Sequence, residues 1–242
     1  MVSEQLHGFL LHRREYRETS YLTDFFTLEL GKVSAVIKGV RGSKGDKKSL
    51  LQSFQPLLLN LSGKHELRNL NQLESSASML RLAGHQLFSA MYLNELLNRL
   101  LPKEVPHPEI YALYQASLQM LQNLAPIEPC LRHFETSLLN DLGYGFDIQM
   151  TYDTGESIQP DLAYYFVNEQ GIKQVEEYTK SGHQFTGQAL INMSNQYWDP
   201  DSLQCAKRLN RMALSHILGS KPLKSRELFQ QTWSKSVNQS KD

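Results

Sequence analysis

Apolar positions in the first 75 residues fall in short runs without helical spacing. Residues 5–13 (QLHGFLLHR), 20–28 (SYLTDFFTL), 32–38 (KVSAVIK) and 56–61 (PLLLNL) are rich in β-branched, aromatic and aliphatic side chains, and 66–73 forms a weaker fifth run. Gly31, the Gly39–Gly45 stretch and Ser62-Gly63 separate the runs, so each reads as a strand. Gly31 suits a hairpin turn, because glycine reaches φ > 0 without a steric penalty. Five short strands in so little chain predict a closed barrel, since closure removes exposed edges. The OB-fold is the five-stranded barrel that matches this size.

From about residue 80 the period becomes helical. Leu87, Phe88, Met91, Tyr92, Leu96 and Leu100 recur at three- and four-residue spacings in 85–101, and Leu93, Leu97 and Leu101 widen the face until the helix reads as buried. Pro102, Pro106 and Pro108 end it and open a second helix over 107–124. A third runs over 128–142 with Leu131, Phe134, Leu138, Leu139 and Leu142 as its stripe, stopped by Gly143 and Gly145. Strand-like pieces and turns fill 146–178, and helices resume over 186–195, 201–218 and 224–233. The expected architecture is α+β and multidomain. A five-stranded OB-fold barrel (1–78) precedes an α-helical C-terminal domain (79–234) with a small irregular or strand segment near 146–178, and a flexible tail (235–242) follows.

Composition adds less than charge order does. The 242 residues carry 25 basic and 25 acidic side chains, and 40% of residues are hydrophobic, which is ordinary for a globular chain. No apolar run approaches the roughly 18–20 residues of a membrane span, and the N-terminus lacks the pattern of a secretory signal, so a cytoplasmic protein is expected. Cys130 and Cys205 are too few for a disulfide framework or a four-thiolate zinc site. The zero net charge is segregated, however. Residues 1–81 hold 12 basic and 8 acidic side chains, 82–202 hold 5 and 15, and 203–242 hold 8 and 2. A partner meets such local fields and not their sum.

Catalytic motifs are missing: there is no HExxH, GxSxG, Walker A or GxGxxG. The eight histidines show no i, i+4 pairing, which argues against a metal site. Asp153, Glu156 and Asp161 lie in an irregular segment and read as solvated surface. Between Lys32 and Lys48, Lys32, Lys38, Arg41, Lys44, Lys47 and Lys48 face a single acid, Asp46, among glycines that would let the cations follow a phosphate backbone. Arg13, Arg14 and Arg17, with Tyr21 and Phe25 alternating on one strand, add the cations and aromatics of a single-strand-binding platform. Tyr21 and Phe25 fit a barrel core equally well. In the 201–218 helix, Gln204, Lys207, Arg208 and Arg211 share one face. That stripe suits an acidic peptide, DNA, or the acidic middle of the same chain.

Taken together these residues resemble the RecO family of bacterial recombination mediators. The resemblance rests on residues 8–44 and 51–70, then on MYLNELLNRLL (91–101), LRHFETSLLNDLGYG (131–145), FTGQAL (185–190), AKRLNRMAL (206–214) and GSKPLKSRELFQ (219–230). It implies a non-enzymatic role in DNA repair and recombination. Family members bind single- and double-stranded DNA, anneal complementary strands, engage the single-strand-binding protein SSB, and with RecR help load RecA on SSB-coated DNA. An OB-fold module acting on RNA is the alternative. The resemblance implies an acidic SSB tail that ends in a hydrophobic residue with a free carboxylate. Arg132, flanking the stripe of Leu131, Phe134 and Leu138, is the candidate for that carboxylate unless it pairs with Glu128 or Glu135 on its own helix. Lys207, Arg208 and Arg211 form a second cationic face for the tail's acids if the helices are neighbours. Many members carry a four-cysteine zinc site, but residues 146–180 hold no cysteine. No cofactor or metal is therefore expected, and packing must hold that segment.

Overall fold

The computed structural model describes residues 5–40, 46–63, 66–176 and 184–228, with residues 46 and 47 by backbone only. Strands β1 (Gln5–Tyr16), β2 (Ser20–Thr27), β3 (Gly31–Ile37), β4 (Leu57–Ser62) and β5 (Leu67–Ser75) close a barrel in the order β1-β2-β3-β5-β4. All pairings are antiparallel except β3 with β5, where Ser34 lies beside Leu67. This is the OB-type barrel that the strand pattern predicts. A short helix, α1 (Asp46–Leu50), lies between β3 and β4.

β1 extends three residues beyond its expected end. A bulge between Leu10 and His12 lets the hairpin continue until Tyr16 pairs with Ser20. The weaker fifth run is a full strand, since its Leu70 and Leu73 complete the interior cluster of Leu6, Leu10, Phe25, Val33 and Leu59. Gly31 sits at φ 67° in the β2–β3 turn. A Cβ there would lie 1.8 Å from the carbonyl oxygen of Val105, so the turn needs glycine for space as well as for φ.

Helices α2 (Gly84–Leu100) and α3 (Pro108–Gln122) belong to the same compact unit as the barrel. Phe9 and Phe26 point out of the barrel and stack edge-on against Tyr111 and Tyr114 of α3, with centroids 5.2–6.2 Å apart in the steeper pairs. The Tyr114 hydroxyl donates to Asn94 Oδ1, and Asn94 Nδ2 reaches the Leu10 carbonyl at 3.4 Å. Burial raises the phenol pKa values of Tyr114 and Tyr111 and keeps both rings protonated. The chain returns to this unit after residue 221. Leu223 is buried, and Glu95 of α2 accepts from the backbone N–H of Lys224 and from the N–H and hydroxyl of Ser225.

The second unit spans Pro126–Lys221. It contains α4 (Ile127–Asp141), β6 (Ala163–Val167), β7 (Gly171–Gln174), β8 (Gln184–Thr186), α5 (Gly187–Ser194) and α6 (Pro200–Leu218). The three strands form a sheet in the order β7-β6-β8. Apolar packing holds the cysteine-free segment: Phe146 and Phe166 lie 4.6 Å apart, and Tyr164, Ile172 and Phe185 are buried. A capping box of Asp199 and Ser202 starts α6. The Ser202 backbone N–H holds the Asp199 carboxyl below the usual carboxylate range.

Candidate functional site

Register places the expected barrel residues in two groups. β1, β2 and β3 converge at one end, where Tyr16 pairs with Ser20, Tyr21 pairs with Ile37, and the Val40 N–H donates to the Thr19 carbonyl. Arg13, Arg14, Arg17, Lys38 and Lys48 are all exposed on the strands, turn and helix that make up this end. Arg41 and Lys44 lie outside the described residues; Lys47 belongs to α1, where only its backbone is described. In OB-type barrels the loop between the first two strands is one of the segments that meet oligonucleotides, and here it carries Arg17.

Two of these cations are held by neighbours. Arg13 donates from Nη1 to the Leu51 carbonyl, and its guanidinium lies 5.5 Å from the centroid of the Tyr21 ring. Arg17, at φ 54°, lies 5.2 Å over the Tyr16 ring. Tyr21 is half-buried and packs on the barrel core beneath Arg13, while Phe25 lies wholly within that core. β2 parity therefore points Tyr21, Thr23 and Phe25 inward.

Lys32 is placed apart. It pairs with Phe26 near the opposite end of the β2–β3 hairpin, about 20 Å from Lys38 at a strand rise of about 3.3 Å per residue. Its Nζ donates to the Asn98 carbonyl at 2.9 Å, in the last turn of α2, where carbonyls lack intrahelical partners. Burial lowers its pKa, with Asp24 opposing that shift.

In the second unit the apolar stripe of α4 faces α6. Arg132 is buried among these side chains, and its Nη1 pairs with Glu135 Oε2 at 3.1 Å. Asn210 of α6 is also buried, and its Nδ2 donates to the Arg132 carbonyl, Glu135 Oε2 and Thr136 Oγ1 at 3.1–3.2 Å. Lys207, on the same helix, pairs with Glu128 at 3.1 Å, so part of the basic stripe meets the acidic middle of the chain. Arg208 and Arg211 are exposed. A cavity of about 230 Å³ has Leu139, Phe146, Ile148 and Met193 among its apolar walls and Thr136, Asp147 and Asn210 among its polar ones. Cys205 is buried within α6, and burial pushes its thiol up to about 12.

Among the described residues no group of His, Cys, Asp or Glu could hold a metal ion, and Asp153 pairs with Lys173 at 3.3 Å. No helix among them is long and apolar enough to cross a membrane. Sequence reasoning missed the burial of Glu135 and the role of Asn210. The i, i+3 spacing of Arg132 and Glu135 signals a pair, but only the packing of α6 shows that the pair is dry.

The class these features define is a two-unit protein, with an OB-type barrel rimmed by cations at one end and a separate unit that buries an arginine–glutamate pair and holds a cavity of mixed lining. Residues 1–79 match the family model described as Recombination protein O N terminal, and residues 81–227 match Recombination protein O C terminal. The chain is 55% identical over 236 residues to the DNA repair protein RecO of Pseudoalteromonas atlantica, covering 98% of each chain. It is 44% identical over 229 residues to that of Alteromonas mediterranea, covering 95% of this chain and 98% of the relative. For that of Pseudomonas aeruginosa the identity is 46% over 222 residues, with 91% and 92% covered. The chain belongs to the RecO family.

Proposed function

We propose that this chain is a non-enzymatic mediator of DNA repair and recombination, working in the cytoplasm at the nucleoid. It binds single- and double-stranded DNA at the cationic end of the barrel and anneals complementary strands. It engages the SSB tail through its second unit, and with RecR it promotes loading of RecA on SSB-coated DNA. Family membership supports the biological setting. The observation that carries the DNA reading is the convergence of Arg13, Arg14, Arg17, Lys38 and Lys48 on one barrel end. Backbone neutralisation by such a cluster is independent of sequence and depends on salt. Arg41, Lys44 and Lys47 extend the same basic segment in sequence, and Tyr21 offers an aromatic ring under Arg13.

For the SSB tail, an acidic peptide ending in a hydrophobic residue with a free carboxylate, Arg132 supplies the guanidinium and the neighbouring cavity supplies apolar walls. Arg208 and Arg211, with Lys207, supply long-range attraction for the acidic residues of the peptide. The test pairs two assays on the full chain: ATP-free annealing of complementary oligonucleotides, and binding of a fluorescent SSB-tail peptide. Arg132→Ala should weaken peptide binding more than tenfold and leave bare single-stranded DNA binding intact. A parent-like peptide affinity in that variant would place the receptor elsewhere. Annealing no faster than the spontaneous rate would overturn the mediator reading.

A further inference from the structure

The Arg132 side chain is 8% exposed and that of Glu135 only 2%. A guanidinium offers five donors in a rigid fork, yet among the described residues this one has one acceptor, Glu135 Oε2, reached from Nη1. Its Nε is buried and has no acceptor among the described residues. Nε and Nη2 form the side-on edge of the guanidinium, the geometry that takes a carboxylate in two parallel hydrogen bonds. Glu135 itself is fixed, because Asn210 Nδ2 donates to the same oxygen that Arg132 contacts. Asn210, which holds the Arg132 carbonyl and Glu135, lines the nearby cavity with Thr136 and Asp147, whereas Arg132 and Glu135 do not themselves line it.

We infer that Glu135 is a built-in competitor for the Arg132 guanidinium, and that its charge limits how tightly this unit holds a peptide with a free terminal carboxylate. The inference rests on the reading of Arg132 as the receptor for such a peptide. A carboxylate arriving at the idle edge meets a pair that is already neutral: it gains Arg132 and is repelled by Glu135 across the same guanidinium. At a separation of roughly 6–7 Å and an effective dielectric near 20, that repulsion weakens binding by one to two orders of magnitude. Releasing Arg132 from Glu135 instead would strand a buried carboxylate, so the pair persists and the ligand is held weakly. Weak holding suits a contact that must be given up, as a tail bound in passing would require.

The experiment uses the full chain and two fluorescent acidic peptides with the same hydrophobic last residue, one a free acid and one its terminal amide. Glu135→Gln preserves the shape and an acceptor for Asn210 while removing the charge. It should tighten the free acid about tenfold or more and leave the amide unchanged. Its melting temperature without peptide should fall, and the free acid should raise it further than it raises that of the parent, because the ligand becomes the only counter-ion of Arg132. If the glutamine variant does not fold, Glu135→Asp keeps a counter-ion but draws it back from the guanidinium, and should give a smaller gain of the same sign and selectivity. Adding Arg132→Ala should abolish the gain. Unchanged or weaker binding of the free acid by folded Glu135→Gln, or an equal gain for the amide, overturns the inference. If Arg132→Ala alone leaves free-acid binding unchanged, the failure lies in the underlying assignment of the receptor.

Discussion

Lys32 and the convergent cations are close in sequence and far apart in the barrel, which gives the DNA reading a sharp internal control. Each phosphate neutralised on a single strand contributes about 0.7 to the slope of log affinity against log salt. Replacing Arg14, Arg17 and Lys38 with alanine should therefore flatten that slope by about 2. Over a fourfold rise in salt, a slope difference of that size makes the parent lose about sixteenfold more affinity than the variant. Lys32→Met should leave the slope alone. Its Nζ is committed to the Asn98 carbonyl at 2.9 Å, and its burial already disfavours the charged form. The loss there is one of stability, about 1 kcal/mol, being a charged hydrogen bond partly offset by relief of desolvation. Fluorescence anisotropy with an unstructured oligonucleotide from 50 to 200 mM salt reads the slopes, and urea unfolding reads the stability. If Lys32→Met flattens the slope by as much as a third of the triple variant's change, with no loss of stability, the division of the barrel into a binding end and a helix-anchoring end is wrong.

Two further outcomes follow from buried or clamped groups of the first unit. Burial pushes the Glu95 carboxyl up, but the hydrogen bonds from Ser225 and Lys224 outweigh it and hold the pKa below the usual 4.5. The clamp is thus fully present above that value and is lost as pH falls through the lower folded value. Protection factors at the Lys224 and Ser225 amides, taken relative to the intrinsic exchange rate at each pH, should fall on acidification in the parent and be low at all pH values in Glu95→Ala; pH-independent protection in the parent would refute the clamp. Tyr114→Phe strands Asn94 Oδ1 in a buried setting and should cost about 1–3 kcal/mol. Combining it with Asn94→Leu should cost clearly less than the two single losses added, and strict additivity in urea unfolding would show that the pair is not coupled.

Much of the architecture was legible because it depends on local period. In the barrel, alternating or continuous apolar runs with glycine between them mark strands, and only at the bulge of Leu10–His12 is a boundary displaced by more than two residues. By contrast, α1 and the short β8, beyond the expected strand segment 146–178, are not foreseen from the pattern. The helical stripe of 128–142 was equally plain, and α4 occupies Ile127–Asp141. Legibility ends where an element has two buried faces. Phe26 looks like the wrong parity for a barrel strand until Tyr111 and Tyr114 are seen to cover the outer wall. Likewise the return of Leu223 and Ser225 to the first unit depends on Glu95, some 130 positions earlier in the chain.

The functional side chains divide along the same line. Arg14, Arg17 and Lys38 lie at strand ends and in a turn and stay exposed, but the sequence spacing that groups them also groups Lys32 with them, and only the barrel register sets it apart. Spacing does not place Arg132 either. On its own helix it looks like a half-exposed residue with an ordinary i, i+3 partner, a pairing worth a few tenths of a kcal/mol in water. The same two side chains become a dry, charge-neutral pair once Asn210 of α6 closes over them. In that setting Glu135 changes from a minor stabiliser of one helix into the buried counter-ion of Arg132, which is what the proposed competition with a ligand carboxylate rests on. The sequence spacing is identical in both descriptions. The difference lies in the dielectric that α6 brings, and that is a property of tertiary packing that no pattern of residues on α4 encodes.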